Sequence, residues 1–308
     1  MITPNENTVH EVPSKPPEHP YKQPRRMPRG FVFSAAALIL CFSVPLYRWA
    51  QFALQSSLYS YVLLVPFVSI YLYAMTSKRP PAPFSSPRSL AVILISTGLL
   101  AISSFAIAAV SGAKLLQQDS LALTTLSFVL LLAGICVLAL DKISLRRAAF
   151  PLLFLLFMVP FPVAMEQAIE RALQYGSAPP AFWFFQLAGT PVFRQDLVFG
   201  LPGMTLQIAP ECSGIRSTIV LFITSLIAGH LFLQSPWKRT ILTLAVIPLA
   251  LLRNGFRVFV IGELCVHISP QMIDSPIHHQ GGPIFFALSL IPFSILVFYL
   301  IKSDRRRT

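Results

Sequence analysis

The sequence predicts an all-α, polytopic integral membrane protein with about eight transmembrane helices and both termini in the cytoplasm. Hydrophobic residues make up 55% of the 308 residues, and charged residues make up only 12%, about half the share found in soluble domains. Apolar stretches near the length of about 20 residues that a spanning helix needs recur along the chain. Basic residues gather on alternate sides of these stretches, as they do in multi-pass membrane proteins.

The chain begins with a polar segment and continues with apolar ones. Residues 1–30 are predicted to be a disordered, basic cytoplasmic tail, because the first 29 hold seven prolines and a run of basic residues. Residues 31–302 are predicted to form a single transmembrane helical domain, followed by a basic cytoplasmic tail at 303–308. The eight predicted spans are 31–47, 58–76, 90–111, 121–140, 148–165, 214–233, 240–261 and 283–301.

A long segment, 166–213, separates the fifth and sixth predicted spans. Its first part, Glu166 to Gln186, combines charged residues with an apolar run and is typical of an interfacial amphipathic helix. Its second part is rich in glycine, proline and charged residues. We therefore expect that part to lie outside the bilayer.

The basic residues set the expected orientation. The net charge is +12, which in a soluble protein would suggest nucleic acid as a partner. In a polytopic protein it indicates inner loops and anionic lipid head groups instead, so membrane lipids are expected partners and nucleic acid is not. With the N-terminus inside, most of the 24 basic residues fall on the cytoplasmic side. The expected outer ones are Arg48, Lys114, Arg171, Arg194, Arg216, Arg253 and Arg257.

Three polar islands interrupt the apolar background, at 209–217, 253–257 and 274–282. On the predicted topology all three lie at the outer face. They supply a thiol (Cys212), guanidinium groups (Arg253, Arg257) and imidazoles (His278, His279). A nucleophile, a fixed cation and an acid/base group on one side of a membrane suggest a catalytic site.

Cys212 follows a proline and precedes an apolar helix, so its sulfur is expected near a helix N-terminus, where a thiolate is favoured. The neighbouring carboxylate of Glu211 disfavours a thiolate at Cys212. Two alternatives remain open: a buried cysteine that acts as a small hydrophobe, and a disulfide between Cys212 and Cys265, which would contradict a nucleophile.

The other two islands offer partners for that thiol. Asn254 and Arg257 are three residues apart and Arg253 and Arg257 four, so all three share one helix face. An arginine stays charged and can stabilise an oxyanion. His278 and His279 precede a double glycine at a span entrance, where an imidazole can exchange protons near neutrality.

A zinc site built from His267, His278, His279 and Cys212 or Glu263 is the metal alternative. The spacing of these residues matches no known zinc motif. We therefore predict no metal, and no cofactor is indicated.

With these residues in view, the sequence resembles the exosortase/archaeosortase family of polytopic membrane cysteine transpeptidases. The resemblance runs from about Leu187 to Phe286. It rests on Leu187-Ala-Gly-Thr-Pro-Val-Phe-Arg and Leu201-Pro-Gly, then Cys212-Ser-Gly-Ile-Arg-Ser, Asn254-Gly-Phe-Arg257-Val, and His278-x-x-x-Gly282. The N-terminal spans match the family only in hydropathy.

The resemblance implies an active site with Cys212 as nucleophile, Arg257 as oxyanion stabiliser and His278 as acid/base group, with His279 as second choice. It places Glu211, Ser213, Arg216, Arg253, Asn254 and Gly282 as supporting or substrate-binding residues. Glu211 departs from the small residue expected before the cysteine.

The family is thought to act on secreted proteins that carry a C-terminal sorting tail, made of a Pro-Glu-Pro-type motif (PEP-CTERM), a transmembrane helix and a basic end. It is thought to pass them to an acceptor. The resemblance thus implies protein sorting at the cell envelope, in the bacterial inner membrane with the site on the periplasmic face.

Three other functions remain open from the sequence. A transporter or flippase could bind an anionic envelope lipid or polysaccharide intermediate through Arg216, Arg253 and Arg257, although no inverted repeat or broken helix is evident in the sequence. A scaffold subunit of an exopolysaccharide machine would need no chemistry. A membrane acyltransferase would need a Glu–Lys–Cys set, which the sequence does not assemble.

Overall fold

The computed structural model describes residues 29–76, 88–112, 115–140, 142–269, 271–272 and 281–305. The described part is mostly helical. Its α-helices are α1 (Arg29–Cys41), α2 (Ser43–Gln55), α3 (Val65–Thr76), α4 (Arg88–Val110), α5 (Gln117–Ala139), α6 (Lys142–Phe154), α7 (Val163–Ala188), α8 (Ile215–Phe232), α9 (Pro236–Leu244), α10 (Val246–His267) and α11 (Gly282–Arg305). Short 3₁₀ turns cover Ser60–Leu64, Leu155–Met158 and Pro210–Cys212.

Within the described ranges, five helical stretches are long and apolar enough to cross a membrane: α4, α5, Pro210–Phe232, Pro236–His267 and Gly282–Asp304. They coincide with five of the eight predicted spans. Counting each of two bent helix pairs as one span raises the number to seven, and a shorter apolar helix covers Ser60–Met75. A polytopic membrane protein is therefore confirmed, whereas the count of eight and the cytoplasmic placement of the termini stay predictions.

The two bends are located at prolines. Between α1 and α2 the axis turns by 65°, and Pro45 stands four residues after Cys41, where its ring would clash with the Cys41 carbonyl in a continuous helix. Between α6 and α7 the axis turns by 92° at a stretch that holds Pro160 and Pro162. No broken helix was evident in the sequence, whereas the structure bends these two helix pairs, each of which is a broken span or a re-entrant loop.

The tail boundaries predicted from sequence are only partly covered. Most of the predicted N-terminal tail, 1–28, and the last residues, 306–308, lie outside the described residues. At the C-terminal end α11 continues through Arg305, into the predicted tail. Asp304 there forms an ion pair with Lys238, with 3.0 Å between carboxylate and ammonium. It also accepts a hydrogen bond from the Gln234 backbone N–H (2.7 Å), so α11 is fastened to the loop between α8 and α9.

The segment after α7 forms a three-stranded antiparallel sheet, which the all-α prediction did not include. Its strands are β1 (Phe193–Gln195), β2 (Val198–Leu201) and β3 (Met204–Gln207), in the order β1-β2-β3. The β2–β3 connection is Pro202–Gly203, with Gly203 at φ +78°, a proline–glycine pair typical of a type II turn. Phe199, Leu201 and Leu206 turn one face of the sheet into an apolar cluster that also holds Cys212.

Helices α7 and α10 run parallel to each other, and their backbones are closely packed. A Cβ added at Gly255 would lie 2.7 Å from Pro180 Cβ and 2.8 Å from the Ala181 nitrogen. Further along, Gly262 faces Phe185. Small residues permit such close contact between helices. The predicted helix from Glu166 is present as part of α7.

Candidate active site

Cys212 lies in the turn that leads into α8. It is the last residue of the 3₁₀ turn that starts at Pro210, and its N–H donates to the Ala209 carbonyl (2.9 Å). Gly214 then adopts φ +73° before α8 begins at Ile215, a left-handed conformation that favours glycine. The side chain of Cys212 is buried, with 8% of its surface exposed.

Two α10 residues hold this turn from behind. Arg253 Nη2 donates to the Gly214 carbonyl (3.3 Å) and to Thr218 Oγ1 (3.1 Å). A Cβ added at Gly214 would lie only 3.0 Å from Asn254 Oδ1. The same Asn254 donates from Nδ2 to Ser177 Oγ on α7 (2.9 Å). The backbone beside the thiol is thus clamped by residues from three helices.

Arg257 brings the positive charge nearest to the thiol. It stands one helical turn beyond Arg253 on the same face of α10, and its guanidinium is close enough to interact with the charge of Cys212 and with that of Arg253. A cation beside a cysteine stabilises the thiolate. The Glu211 carboxylate also acts on Cys212 and opposes a negative sulfur. The fold therefore places Cys212 and Arg257, which lie 45 residues apart in the chain, within electrostatic range of each other.

At this site Ser213 Oγ and Arg253 Nη1 are buried and make no hydrogen bond within the described part of the chain. The residue Ser213 is 1% exposed. Buried polar groups in proteins are nearly always hydrogen-bonded, so exceptions call for an explanation. An N–H or O–H group without a partner beside a nucleophile can donate a hydrogen bond to the oxyanion that develops on a substrate carbonyl.

The charges at the rim of the site are mainly acidic. Glu211 is exposed and lies close enough to Glu170 to act on its charge, as does Glu166. Arg216, which the sequence suggested as help for the oxyanion, is exposed and reaches towards Ser60 Oγ instead (3.5 Å).

Glu166 fastens α7 to the N-terminal helices. Its carboxylate accepts hydrogen bonds from Tyr59 (2.6 Å) and from Gln118, whose side chain also donates to the Phe161 carbonyl (2.8 Å). These hydrogen bonds join α7 to the turn that follows α2 and to the start of α5.

The third predicted member of the site lies outside the described residues, because both His278 and His279 fall in the range 273–280. The chain resumes at Gly281, and α11 begins at Gly282. Its first turn packs on α10, with Phe285 edge-on to Phe256 at a ring distance of 6.2 Å. A Cβ added at Gly282 would meet nothing within 4 Å, so internal packing does not require glycine there.

Other histidine and cysteine pairings considered from sequence do not converge on Cys212. His267 pairs with Glu263 (3.0 Å), and it stands ten residues beyond Arg257, about 15 Å further along α10. Cys212 and Cys265 are both buried and neither is in a disulfide, so the alternative disulfide between them is not formed. The zinc alternative would need His278 and His279, which the structure does not describe.

Sequence reasoning missed the residues on α7 and α8 that complete the clamp. Ser177 and Thr218 receive hydrogen bonds from Asn254 and Arg253, and Gln174 Nε2 donates to the Ile208 carbonyl (3.0 Å) just before the cysteine turn. The available signal was the run of small residues 176–178, which is typical of a close helix contact.

Comparison with known proteins supports the resemblance. Residues 49–295 match the family described as transmembrane exosortase (Exosortase_EpsH), so the match includes N-terminal spans that resembled the family only in hydropathy. The search of curated proteins and the search of solved structures gave no match. The match covers far more than half of the chain, and the chain belongs to the transmembrane exosortase family.

Proposed function

We propose that this protein is a membrane cysteine transpeptidase that cleaves the C-terminal sorting tail of secreted proteins through a Cys212 thioester and transfers them to an acceptor. Membership of the exosortase family implies a transpeptidase role. The substrate tail would consist of a Pro-Glu-Pro-type motif, a transmembrane helix and a basic end. No cofactor takes part in the proposed reaction.

One observation carries the proposal: Arg257 of α10 lies close enough to Cys212, on the turn before α8, for their charges to interact. Arg253 donates a hydrogen bond to the backbone of that turn, and Asn254 packs against it. A buried thiol is a poor nucleophile unless a nearby positive charge stabilises its thiolate. A preformed turn also costs no reorganisation when the substrate binds. Cysteine, cation and fixed backbone together are what acyl transfer requires.

The proposed reaction has two steps. The Cys212 thiolate attacks the scissile carbonyl carbon, and Arg257 stabilises the resulting oxyanion. His278 gives a proton to the leaving amine as the carbon–nitrogen bond breaks, which leaves a thioester on Cys212. The acceptor nucleophile then loses its proton to His278 and attacks the thioester, and the thiolate leaves.

The proposed setting is the outer face of a bacterial cytoplasmic membrane. By the positive-inside rule, the basic end of the substrate would remain in the cytoplasm. The apolar helix of the tail would lie in the bilayer beside the enzyme. The scissile bond, just outside that helix, would then reach the level of the Cys212 turn.

The contacts of Arg253 favour this proposal over anion transport. A transporter that used Arg253 would present its guanidinium to a water-filled path, whereas Arg253 is 7% exposed and donates to Gly214 and Thr218. Transporters often bind anions at broken helices. Here the two breaks lie at the α1–α2 and α6–α7 junctions, and neither is on α10, the helix that carries Arg253 and Arg257.

The test is processing of a tail-bearing protein in cells that lack the endogenous enzyme. The wild type should convert the substrate to a shorter or transferred form, and Cys212→Ala should abolish this. Cys265→Ala is the matched control, because Cys265 is also a buried cysteine of the C-terminal half. Arg257→Met should also abolish processing. Hydroxylamine should release an acyl group from trapped wild-type enzyme, because it cleaves thioesters.

Processing by Cys212→Ala at the wild-type rate would refute the proposed nucleophile. Retention of processing by His278→Ala together with loss in His279→Ala would move the acid/base role to His279. If cells that carry Cys212→Ala and cells that carry Arg257→Met both keep the wild-type phenotype, a transporter or a scaffold is the better assignment.

A further inference from the structure

The N-terminal half contains a large apolar cavity that the proposed reaction does not use. Its volume is about 590 Å³, within the range of drug-sized ligand sites, about 300–1,000 Å³. Its walls come from α1, α2, α3, α5 and the α6 segment with the 3₁₀ turn that follows it. The Cys212 turn belongs to the other half of the chain.

The cavity walls are nearly all hydrocarbon. Apolar side chains such as Ile39, Leu132 and Leu152 line most of it. The indole N–H of Trp49 is turned to the Met158 carbonyl (2.8 Å) and so is already used. Such walls exclude a polar peptide, because its amide groups would lose their hydrogen bonds to water.

One polar group in the wall has no partner. Ser69 lines the cavity, is 5% exposed, and its hydroxyl makes no hydrogen bond to any described residue. A buried hydroxyl without a hydrogen-bond partner destabilises the fold. A ligand with a polar group part-way along an apolar chain, such as an ester, would satisfy it.

The size and shape of the cavity select a single chain over a helix. On α6 the wall is a stripe at helical spacing, Ala148, Pro151, Leu152 and Leu155, so the cavity runs at least about 10 Å along that axis. A 20-residue helix is about 30 Å long and 10 Å across, about three times the length of this stripe. The cavity therefore suits a hydrocarbon chain better than the transmembrane helix of a substrate.

Two basic residues, Arg146 and Arg147, directly precede Ala148, the first residue of α6 that lines the cavity. Arg147 Nε is buried without a hydrogen-bond partner among the described residues. A guanidinium binds phosphate through paired, charge-assisted hydrogen bonds. An anionic head group of a lipid in the cavity would therefore find a complementary charge one residue from the cavity wall.

We propose that this cavity binds one acyl chain of an anionic phospholipid, with the lipid ester near Ser69 and the phosphate at Arg147. Both orphaned polar atoms then gain partners, and the apolar walls gain the dispersion contacts that an empty cavity lacks. The proposal is independent of the transpeptidase reaction.

The test uses the full-length protein in nanodiscs with a phosphatidylglycerol that carries a diazirine in one acyl chain. After irradiation, mass spectrometry should place adducts on cavity residues. Unlabelled phosphatidylglycerol should compete at about tenfold lower concentration than diacylglycerol of the same chains, because one charge-assisted hydrogen bond is worth about 1.5 kcal/mol or more. Arg147→Gln should remove that difference.

Ala148→Phe fills the cavity and should remove the cavity adducts, and Ser69→Leu is a second filling variant in case the first does not fold. Leu153→Phe is the matched control, because Leu153 is on the same helix and is 62% exposed. The proposed site would be refuted if adducts were distributed equally over exposed faces and the cavity. It would also be refuted if the cavity adducts were unchanged in both filling variants. Equal competition by the two unlabelled lipids in the wild type would overturn the phosphate contact.

Discussion

Replacing Gly255 by alanine should separate α7 from α10 and slow the proposed processing reaction. The new Cβ would lie 2.7 Å from Pro180 Cβ and 3.0 Å from the Ser177 carbonyl oxygen, whereas carbon atoms pack best at about 3.5–4.0 Å. The helices must therefore move apart by about 1 Å. Pro180 and the Ala181 backbone are stiff, so a side-chain rotation cannot relieve the clash.

The size of the effect follows from what that movement breaks. The hydrogen bond from Asn254 to Ser177, now 2.9 Å, would lengthen to about 3.9 Å, beyond hydrogen-bond range. Overpacking costs about 1–3 kcal/mol and an orphaned buried amide another 1–3 kcal/mol. We expect unfolding free energy to fall by about 2–6 kcal/mol. Because Asn254 also contacts Gly214, we expect the processing rate to fall about 100-fold.

The assay compares thermal unfolding in detergent with processing of a tail-bearing substrate. Gly229→Ala is the matched control: Gly229 is also in a helix, but a Cβ there would meet its nearest neighbour, Arg239 Cβ, at 3.6 Å, an ordinary contact. It should keep both Tm and activity. If Gly255→Ala has the wild-type Tm and processing rate, the close contact of α7 and α10 does not support the site.

Three further changes test other parts of the structure. Arg253→Lys keeps the charge but cannot bind Gly214 and Thr218 at once, so processing should fall at least tenfold. Arg171→Lys, at an exposed position, should have no effect. Equal processing rates for the two variants would rule out the role of Arg253 in holding the turn. Gly282→Ala should leave Tm unchanged, because a Cβ there meets nothing within 4 Å, yet should slow processing; an unchanged rate would exclude Gly282 from substrate contact. Asp304→Asn should lower Tm, because Lys238, which is 8% exposed, loses the partner of its ion pair. The double variant with Lys238→Met and Asp304→Leu should recover part of the lost Tm. An unchanged Tm for Asp304→Asn would contradict a stabilising ion pair.

Part of the candidate site could be predicted because its signals are local. A reactive-type cysteine beside glycine, two arginines at helical spacing and a membrane span on either side can each be recognised within a few residues. The antiparallel course of α8 and α10 then brings Gly214 and Arg253 together, since each stands a similar number of residues from the connection at 233–235. Hydropathy and chain order therefore carried much of the inference.

Other features depend on contacts between residues far apart in the chain. The hydrogen bond from Asn254 to Ser177 joins residues 77 positions apart, and the apolar cavity needs five helices to close around it. Arg216 looked equivalent to Arg253 in the sequence, but one is exposed beside Ser60 and the other is buried against Gly214. Which arginine turns inward depends on helix rotation, which hydropathy does not encode.

By itself, the sequence determined that this chain spans a membrane, that it belongs among the exosortases, and which residue types could carry the chemistry. These follow from composition and from short motifs, which are local properties. Only the tertiary structure decided that Arg257 lies within electrostatic range of Cys212, that Arg253 binds the Gly214 carbonyl, and that α7 packs against α10, because each of these is a relation between separate parts of the chain.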